Sequence, residues 1–580
     1  MPSPRRKITV LAAFRTARES LSDAAGITPG WLLLYCVLVL VQAGLPGAQV
    51  VLIEDLIEGG SGAWGSLLGL TVVVGAMYPF AQVTTTVAQR MMLRLRLHYR
   101  VELAHAAARL SPSRLAMPDV VTELEASQSA THPMSDIASR PVQVLGAAAT
   151  SAVLCAAIWS FNPLSGLLVL AALVPTVLAF TLISRIESKG WPQVAEHDRK
   201  AAYATEQLIQ QRSGTELAIL GSGPKVAGLI ADRRAEATWV LDRMIRTAMT
   251  LEVAAAVLTA VLFGGALVAL VLEDAGGAAA AAAIAGTISG LNAIRQCGYA
   301  FGTIVTAAPQ ATMYRRFVRS VPPAPPQSIV RTVQSVALDN VSFQYPGAAA
   351  PALRDVRIEA RRGEMIALVG VNGAGKSTAI NLLVGSLAPD RGRVLIDGTD
   401  AGGLTETERL GHFGLLVQEF GRFEFALRDA VALGSPTDVP DEHLRTALAA
   451  AFAKDLPLDT QLGQQWGGTG ISGGQWQRVA LARIHLRNAG VWILDEPTSA
   501  IDAEAERAVF AELRRTRHTR ITIVVSHRAS TLVGMDGIYV MDDGAVVQRG
   551  TYQDLISQPD GRFARLFATQ GEHPLNSAPH

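Results

Sequence analysis

Gly370-Val371-Asn372-Gly373-Ala374-Gly375-Lys376-Ser377-Thr378 decides the fold of the C-terminal half. The spacing is G-x-x-x-x-G-K-[ST]: glycines without side chains let backbone N–H groups close around phosphates, a lysine reaches the terminal ones, and a hydroxyl meets Mg2+. The apolar run Ile366-Ala367-Leu368-Val369 before it reads as a buried strand, so the loop joins a strand to a helix. About a hundred residues further on, Ile471-Ser472-Gly473-Gly474-Gln475 sets a second glycine pair at a helix start, where free N–H groups favour an anion.

Two more apolar runs lie around these stretches. Val491-Trp492-Ile493-Leu494 precedes Asp495-Glu496, and Ile521-Thr522-Ile523-Val524-Val525 precedes Ser526-His527. Short β-branched runs alternating with helical patterns predict a parallel α/β sheet with chemistry at the C-terminal ends of its strands. Phosphoryl transfer depends mostly on positioning and electrostatics. One carboxylate, Asp495, is expected to hold the Mg2+ shell, and the other, Glu496, to orient or deprotonate the attacking water.

The first half is of another kind. The 580 residues are 49% hydrophobic and only 17% charged, with a mean hydropathy of +0.27, too apolar for a wholly soluble chain. A net charge of +1 gives no global field directed at nucleic acid. Cys36, Cys155 and Cys297 fall in apolar segments without metal-ligand spacing and read as packing residues. Six segments, near 31–53, 66–88, 142–161, 163–184, 247–272 and 278–308, approach the roughly 20 apolar residues needed to span a bilayer. Arg5, Arg6, Lys7, Arg15 and Arg18 precede the first, and the long loops 89–141 and 185–246 are rich in arginine. The short connections carry Glu54, Asp55, Glu58, Glu273 and Asp274 without Lys or Arg. The positive-inside rule then puts both termini and both long loops in the cytoplasm.

Val10, Phe14, Ala17 and Leu21 share a helical face opposite Arg15 and Arg18, as in an interfacial helix or a short solvated one. The long loops should be helical extensions, with short helices near 119–126 and 216–220 touching the C-terminal domain. Val321-Pro322-Pro323-Ala324-Pro325-Pro326-Gln327 is a stiff linker.

The order of these motifs behind six spans resembles an ABC half-transporter of the exporter type over essentially the whole length. The resemblance implies a multidomain membrane protein. An all-α six-helix transmembrane domain, residues 1–320, continues through a linker, 321–335, into an α/β P-loop ATPase domain, 336–580. It implies export driven by ATP hydrolysis with Mg2+, in the cytoplasmic membrane with the ATPase domain in the cytoplasm. The implied partner is a second half-transporter, the same chain or another, and no nucleic acid is expected.

The resemblance also assigns roles. Tyr345 stacks on adenine, and Gly370, Asn372, Gly373, Gly375, Lys376, Ser377 and Thr378 hold the phosphates. Ser472, Gly473, Gly474 and Gln475 reach the nucleotide of the other domain, and Asp502 in Ser499-Ala500-Ile501-Asp502 contacts the partner. Glu496 is the base, His527 meets the γ-phosphate, and Gln418 meets the lytic water; Ser377, Gln418 and, through water, Asp495 serve Mg2+. Ile471 stands where leucine is usual, a volume-conserving change. Gly463-Gln464-Gln465-Trp466-Gly467-Gly468 replaces a more acidic stretch that communicates with the cytoplasmic loops.

Polar residues within the spans, Gln42, Gln82, Glu252, Asn292 and Arg295, are the candidates for cargo contact. Arg295 could bind an anionic cargo, pair with Glu252, or lie in water beyond the bilayer. Family grounds alone lean to a peptide or drug-like amphiphile over lipid. An importer of a metal chelate or a nucleotide-gated channel is the alternative.

Overall fold

The computed structural model describes residues 10–58, 63–161, 163–272, 276–323, 328–453, 455–498, 501 and 503–567. They form two compact units. The first holds the described residues up to Leu110 together with Pro118–Pro322, and the second holds Ser111–Met117 together with the described residues from Pro323 onward.

The first unit is helical: α1 Val10–Ile27, α2 Pro29–Glu58 and α3 Ala63–Ala107 come before α4 Pro112–Leu115, which belongs to the second unit. Then follow α5 Pro118–Ile137, α6 Arg140–Phe161, α7 Pro163–Ala171, α8 Leu173–Ile209, α9 Gln211–Ile219, α10 Gly223–Leu272 and α11 Gly276–Ser320. Stretches of α2, α3 and α10 are long and apolar enough to cross a membrane. The other expected spans fall on α6, on α7 with α8, and on α11. The segment 163–184 is broken at Ala172 because Pro175 has no N–H for the carbonyl one turn back. The Thr259 hydroxyl donates to the Ala172 carbonyl at 3.5 Å.

Apolar side chains of these helices point outward: Leu40 is 71% exposed and Trp64 80%. Inside lie small and polar residues, among them Ser127, Thr131, Ser135 and Ser139.

Helix α1 forms as expected but buries only part of the expected face. Its inward face is Thr16, Ala17, Ser20 and Ala24, while Phe14 points outward. Small residues allow the close approach, and charge fixes it: Arg315 of α11 pairs with Glu19 at 2.7 Å and Asp23 at 2.9 Å. The Tyr99 hydroxyl of α3 donates to Asp23 at 3.0 Å.

The second unit contains two sheets. One is antiparallel, in the order β2-β1-β4-β5, from β1 Ser335–Phe343, β2 Leu353–Arg361, β4 Arg391–Ile396 and β5 Thr399–Asp400. The other has the order β10-β9-β3-β8-β7-β6, from β3 Met365–Val369, β6 Phe413–Leu416, β7 Val491–Asp495, β8 Ile521–Val525, β9 Gly537–Asp542 and β10 Ala545–Gly550. Its helices are α12 Lys376–Val384, α13 Glu406–Leu410, α14 Leu427–Ala432, α15 Asp441–Ala450, α16 Gly473–Arg487, α17 Ala503–Thr516, α18 Ala529–Leu532, α19 Tyr552–Ile556 and α20 Arg562–Phe567.

Every residue of β3 and β8 is buried, because both faces of the sheet are covered. Met365, Ala367 and Val369 pack with Trp476, Trp492 and Phe510 on one face. Ile366 and Leu368 pack with Ile380, Leu383 and Ile523 on the other. Strands β3, β8, β7 and β6 run parallel in adjacent register, with Leu368 opposite Val525, Val525 opposite Asp495, and Leu494 opposite Leu416. Their C-terminal ends therefore form a single edge.

The short helix expected near 119–126 lies within α5 of the first unit, and the segment that joins the second unit is Ser111–Met117, a few residues earlier. Pro112 starts α4 and Pro118 starts α5, so prolines delimit the segment on both sides. The other expected contact, 216–220, is α9 and the turn after it, with Ile219 and Leu220 exposed.

Candidate functional site

The edge just described carries four loops in strand order: Gly370 onward after β3, Ser526-His527 after β8, Glu496 after β7, and Gln418 after β6. Gly370, Gly373 and Gly375 all have positive φ, at 156°, 84° and 97°. A side chain on Gly375 would stand 2.9 Å from the Ala352 carbonyl, so both the conformation and the space require glycine. Gly375 is also the N-cap of α12 and offers no side chain to the free N–H groups there. Those donors stay available to an anion.

Lys376 is 8% exposed, and its Nζ donates to the carbonyls of Gly370 at 2.8 Å and Val371 at 3.0 Å. Burial lowers its pKa, and the carboxylates of Asp495 and Glu496 oppose the shift. Burial, and then Glu496, raise Asp495, while Lys376 pulls it down. Ser377 is exposed in the first turn of α12, and Thr378, buried, shares a hydrogen bond of 3.2 Å with the Tyr345 hydroxyl. Tyr345, 41% exposed, stands edge-on to Phe343. Hydroxyl, amide and carboxylate oxygens are hard donors that suit Mg2+. Ser377, exposed, and Gln418 and Asp495 at the same edge present oxygens of this kind.

Glu496 has a φ of 48°, a left-handed conformation rare for a residue with a side chain and typical of strained sites. Two hydrogen bonds hold it there: its N–H donates to the Val525 carbonyl at 3.0 Å, and its carbonyl accepts from Gln477 Nε2 at 2.9 Å. His527 Nε2 lies 3.6 Å from Glu496 Oε1. Burial and the charge of Lys376 lower the His527 pKa, so the ring is mostly neutral at pH 7.

Sequence reasoning missed Gln477 and Glu506. Gln477 is 3% exposed on α16, in the same helix as the Ser472 cap. A glutamine on the buried face of an apolar helix was the available clue. Glu506, 7% exposed on α17, accepts from Arg528 and, at 2.8 Å, from the Thr531 hydroxyl, tying down the loop that carries His527.

Ser472 caps α16: its hydroxyl accepts from the Gln475 N–H at 3.3 Å, and Gln475 Oε1 accepts from the Ser472 N–H at 2.8 Å. A cavity of about 290 Å³ beside the phosphate loop is lined by Gly370, Val371, Asn372, His527, Leu566 and Phe567. None of residues 471–475 lines it. Asp502 lies outside the described residues, as do Ser499 and Ala500.

In the first unit, Asn292, Arg295 and Tyr299 are exposed on α11, and Arg140 of α6 stands over the Tyr299 ring at 5.2 Å. No ion pair joins Arg295 to Glu252, and both side chains are exposed.

Residues 353–499 match the ABC transporter family. An ATP-dependent lipid A-core flippase of Aromatoleum aromaticum is 40% identical over 241 residues, 40% of this chain and 40% of that one. A flippase of the same description from Pseudomonas fluorescens is 40% identical over 244 residues, 41% of this chain and 40% of its own. The chain thus spans 40% of the length of these curated relatives. A solved bacterial Atm1-family ABC exporter with ATP bound superposes with a TM-score of 0.79 at 22% identity, covering 96% of this chain and 100% of that one. The chain therefore has the fold of an ABC exporter: a helical region, with three helices among the described residues long and apolar enough to cross a membrane, followed by an α/β domain that matches the ABC transporter family.

Proposed function

We propose that this chain is one half of a dimeric ATP-driven exporter of the cytoplasmic membrane, and that its cargo is an anionic, lipid-like amphiphile. The observation that carries the dimer is the cavity beside the phosphate loop, to which 471–475 contribute nothing. The Ser472 cap is exposed at a helix start, where a second chain's nucleotide satisfies its free donors.

In this reading, phosphate oxygens replace the two loop carbonyls on Lys376, and the tyrosine face of Tyr345 receives the base. Mg2+ bound with the nucleotide supplies charge neutralisation at the phosphates. Glu496, a carboxylate beside a mostly neutral imidazole, takes a proton from water, and the strained backbone fixes its direction. The partner's Ser472 completes the site only when the two ATPase domains close, so closure and catalysis are a single event.

The cargo class rests on two supports. The relatives that match are described as lipid A-core flippases. The polar set Asn292, Arg295 and Tyr299 with Arg140 offers two cations and an aromatic face on helices α11 and α6, which suits an anionic headgroup. This displaces the expected lean to a peptide or drug-like molecule.

The test is reconstitution into liposomes containing fluorescent lipid A, with ATP supplied to the ATPase face. The expected result is ATP-dependent movement of the probe into the leaflet protected from quencher. ATP turnover without probe movement would overturn the lipid reading, and movement in the opposite direction would overturn export.

A further inference from the structure

Helix α16 meets two different parts of the nucleotide machinery. Its start is the exposed Ser472 cap, the group proposed to meet a second chain's nucleotide. Further along, roughly 7 Å down the helix axis, Gln477 turns into the interior of its own unit and donates through Nε2 to the Glu496 carbonyl at 2.9 Å. Trp476, Val479, Ala480 and Leu481 around it are buried over the sheet, in one cluster with Val369 and Leu494. The cap and the following turns therefore belong to a single packed rod.

Glu496 is followed by Pro497, so the peptide between them has no N–H, and its carbonyl is the polar group by which that peptide plane can be held. Gln477 holds it. The peptide on the other side is held through its N–H, which donates to the Val525 carbonyl at 3.0 Å. Together the two bonds set φ and ψ of Glu496, and with them the direction in which its side chain leaves the backbone. That direction needs support, because a φ of 48° is one that a residue with a side chain adopts only when its surroundings hold it there. An amide donor does so without placing a charge beside the carboxylate.

We propose that Gln477 is a positioning residue for Glu496, and that through it the helix whose start meets one nucleotide aligns the base acting on the other. The proposal rests on the reading of the chain as half of a dimer with shared nucleotide sites. A hydrogen bond weakens steeply as its donor angle closes. How α16 seats against the partner's nucleotide therefore sets how firmly the Glu496 backbone is held.

The experiment uses the full chain in lipid nanodiscs, with ATP turnover and nucleotide binding measured together. Gln477→Met keeps the reach of the side chain and removes the donor. It should lower kcat about tenfold while KM for ATP and nucleotide binding stay within about twofold. Gln477→His, whose ring Nε2 donates from nearly the same place, should recover at least about threefold of that loss. In single turnover, adding Gln477→Met to Glu496→Gln should cost less than about twofold more, because the amide acts through that residue. A kcat loss under about threefold, a matching rise in KM, no recovery in Gln477→His, or losses that multiply with Glu496→Gln would each overturn the positioning role.

The second arm uses mixed dimers in which Glu496→Gln on one chain leaves a single working base, on the other chain. Ser472→Ala on the chain with the working base takes no group from that base's own site. It should still lower turnover about threefold, and should add nothing when Gln477→Met is present on the same chain. No loss, or equal losses with and without Gln477→Met, overturns the route through α16. Ser472→Ala on the chain that carries Glu496→Gln strips the working site itself. Unchanged turnover there overturns the shared-site reading, while the kcat of Gln477→Met still decides the role of Gln477.

Discussion

Both units bury an apolar core, but the first also leaves large apolar side chains on its outside. In the ATPase unit, Leu368, Ile493 and Val525 vanish between two packed layers, and the loops that follow their strands carry the chemistry. In the membrane unit, Leu40 and Trp64 face outward, while Ala, Ser and Thr share the interior with larger side chains such as Met91, Leu95, Met134, Tyr314 and Phe317. Hydropathy therefore marks the core of one unit, and in the other both a core and the outer faces of the helices.

The contrast is sharpest at Glu496, where the chemistry depends on one side chain at a strand end. Glu496→Gln should lower ATP turnover by at least about a hundredfold while nucleotide binding persists, measured as single turnover and as binding of a fluorescent ATP analogue. A smaller loss would move the base elsewhere on the same edge.

The membrane unit should resist comparable changes except where it buries charge. Arg315→Met leaves Asp23 with the Tyr99 hydroxyl but no cation, and Glu19 with only the exposed Arg15. It should loosen α1 by about 2 kcal/mol, seen as roughly thirtyfold faster amide exchange confined to that helix. Unchanged exchange would mean that the small-residue face alone holds α1.

A third test asks whether the ATPase unit is complete by itself. In mixed dimers, Lys376→Ala on one chain and Ser472→Ala on the other leave one intact composite site, whereas both changes on one chain leave none. Turnover should be about tenfold higher in the first arrangement. The reverse ranking would place both groups on one chain's nucleotide.

The smallest effect tests the buried layer itself. His485 of α16 stands edge-on to Trp492 at 4.7 Å, and burial, helped by Arg520, lowers its pKa to about 4. With a depressed folded pKa, its contribution is fully present above the unfolded value of 6.5 and is lost as pH falls toward 4. The loss is at most about 1.4 kcal/mol per pH unit. The melting temperature of the ATPase unit should fall between pH 6.5 and 5 in wild type, and less steeply in His485→Leu.

Much of the ATPase unit was legible because its strands are continuous apolar words ending in polar punctuation. Val491 to Glu496 can be read residue by residue into strand, edge and loop. What could not be read was long-range: that Gln477 reaches the backbone of Glu496, or that Arg409 reaches Leu382 and Leu383, since such bonds depend on how helices are stacked over the sheet. In the membrane unit the six apolar segments all fell on helices, but the docking face of α1 was legible only in part. A face was sought among Val10, Phe14, Ala17 and Leu21; Ala17 and, partly, Leu21 do pack inward, but with Thr16, Ser20 and Ala24, and Phe14 points away. The break at Ala172 depended on a single proline in an otherwise unbroken run.

The Ser113 N–H donates to Glu406, 293 positions further along the chain. During synthesis the serine leaves the ribosome first and its partner follows, at roughly 5–20 residues per second, some 15 to 60 seconds later. For that interval the segment between Leu110 and Pro118 has no surface to rest on, and the spans on α3 and α6 must insert on either side of an unanchored connection. A fragment beginning at the prolines would fold without that segment and leave the Glu406 carboxylate open to water. The ATPase unit as a folded body is therefore encoded in two places, and its completion waits on the last third of translation.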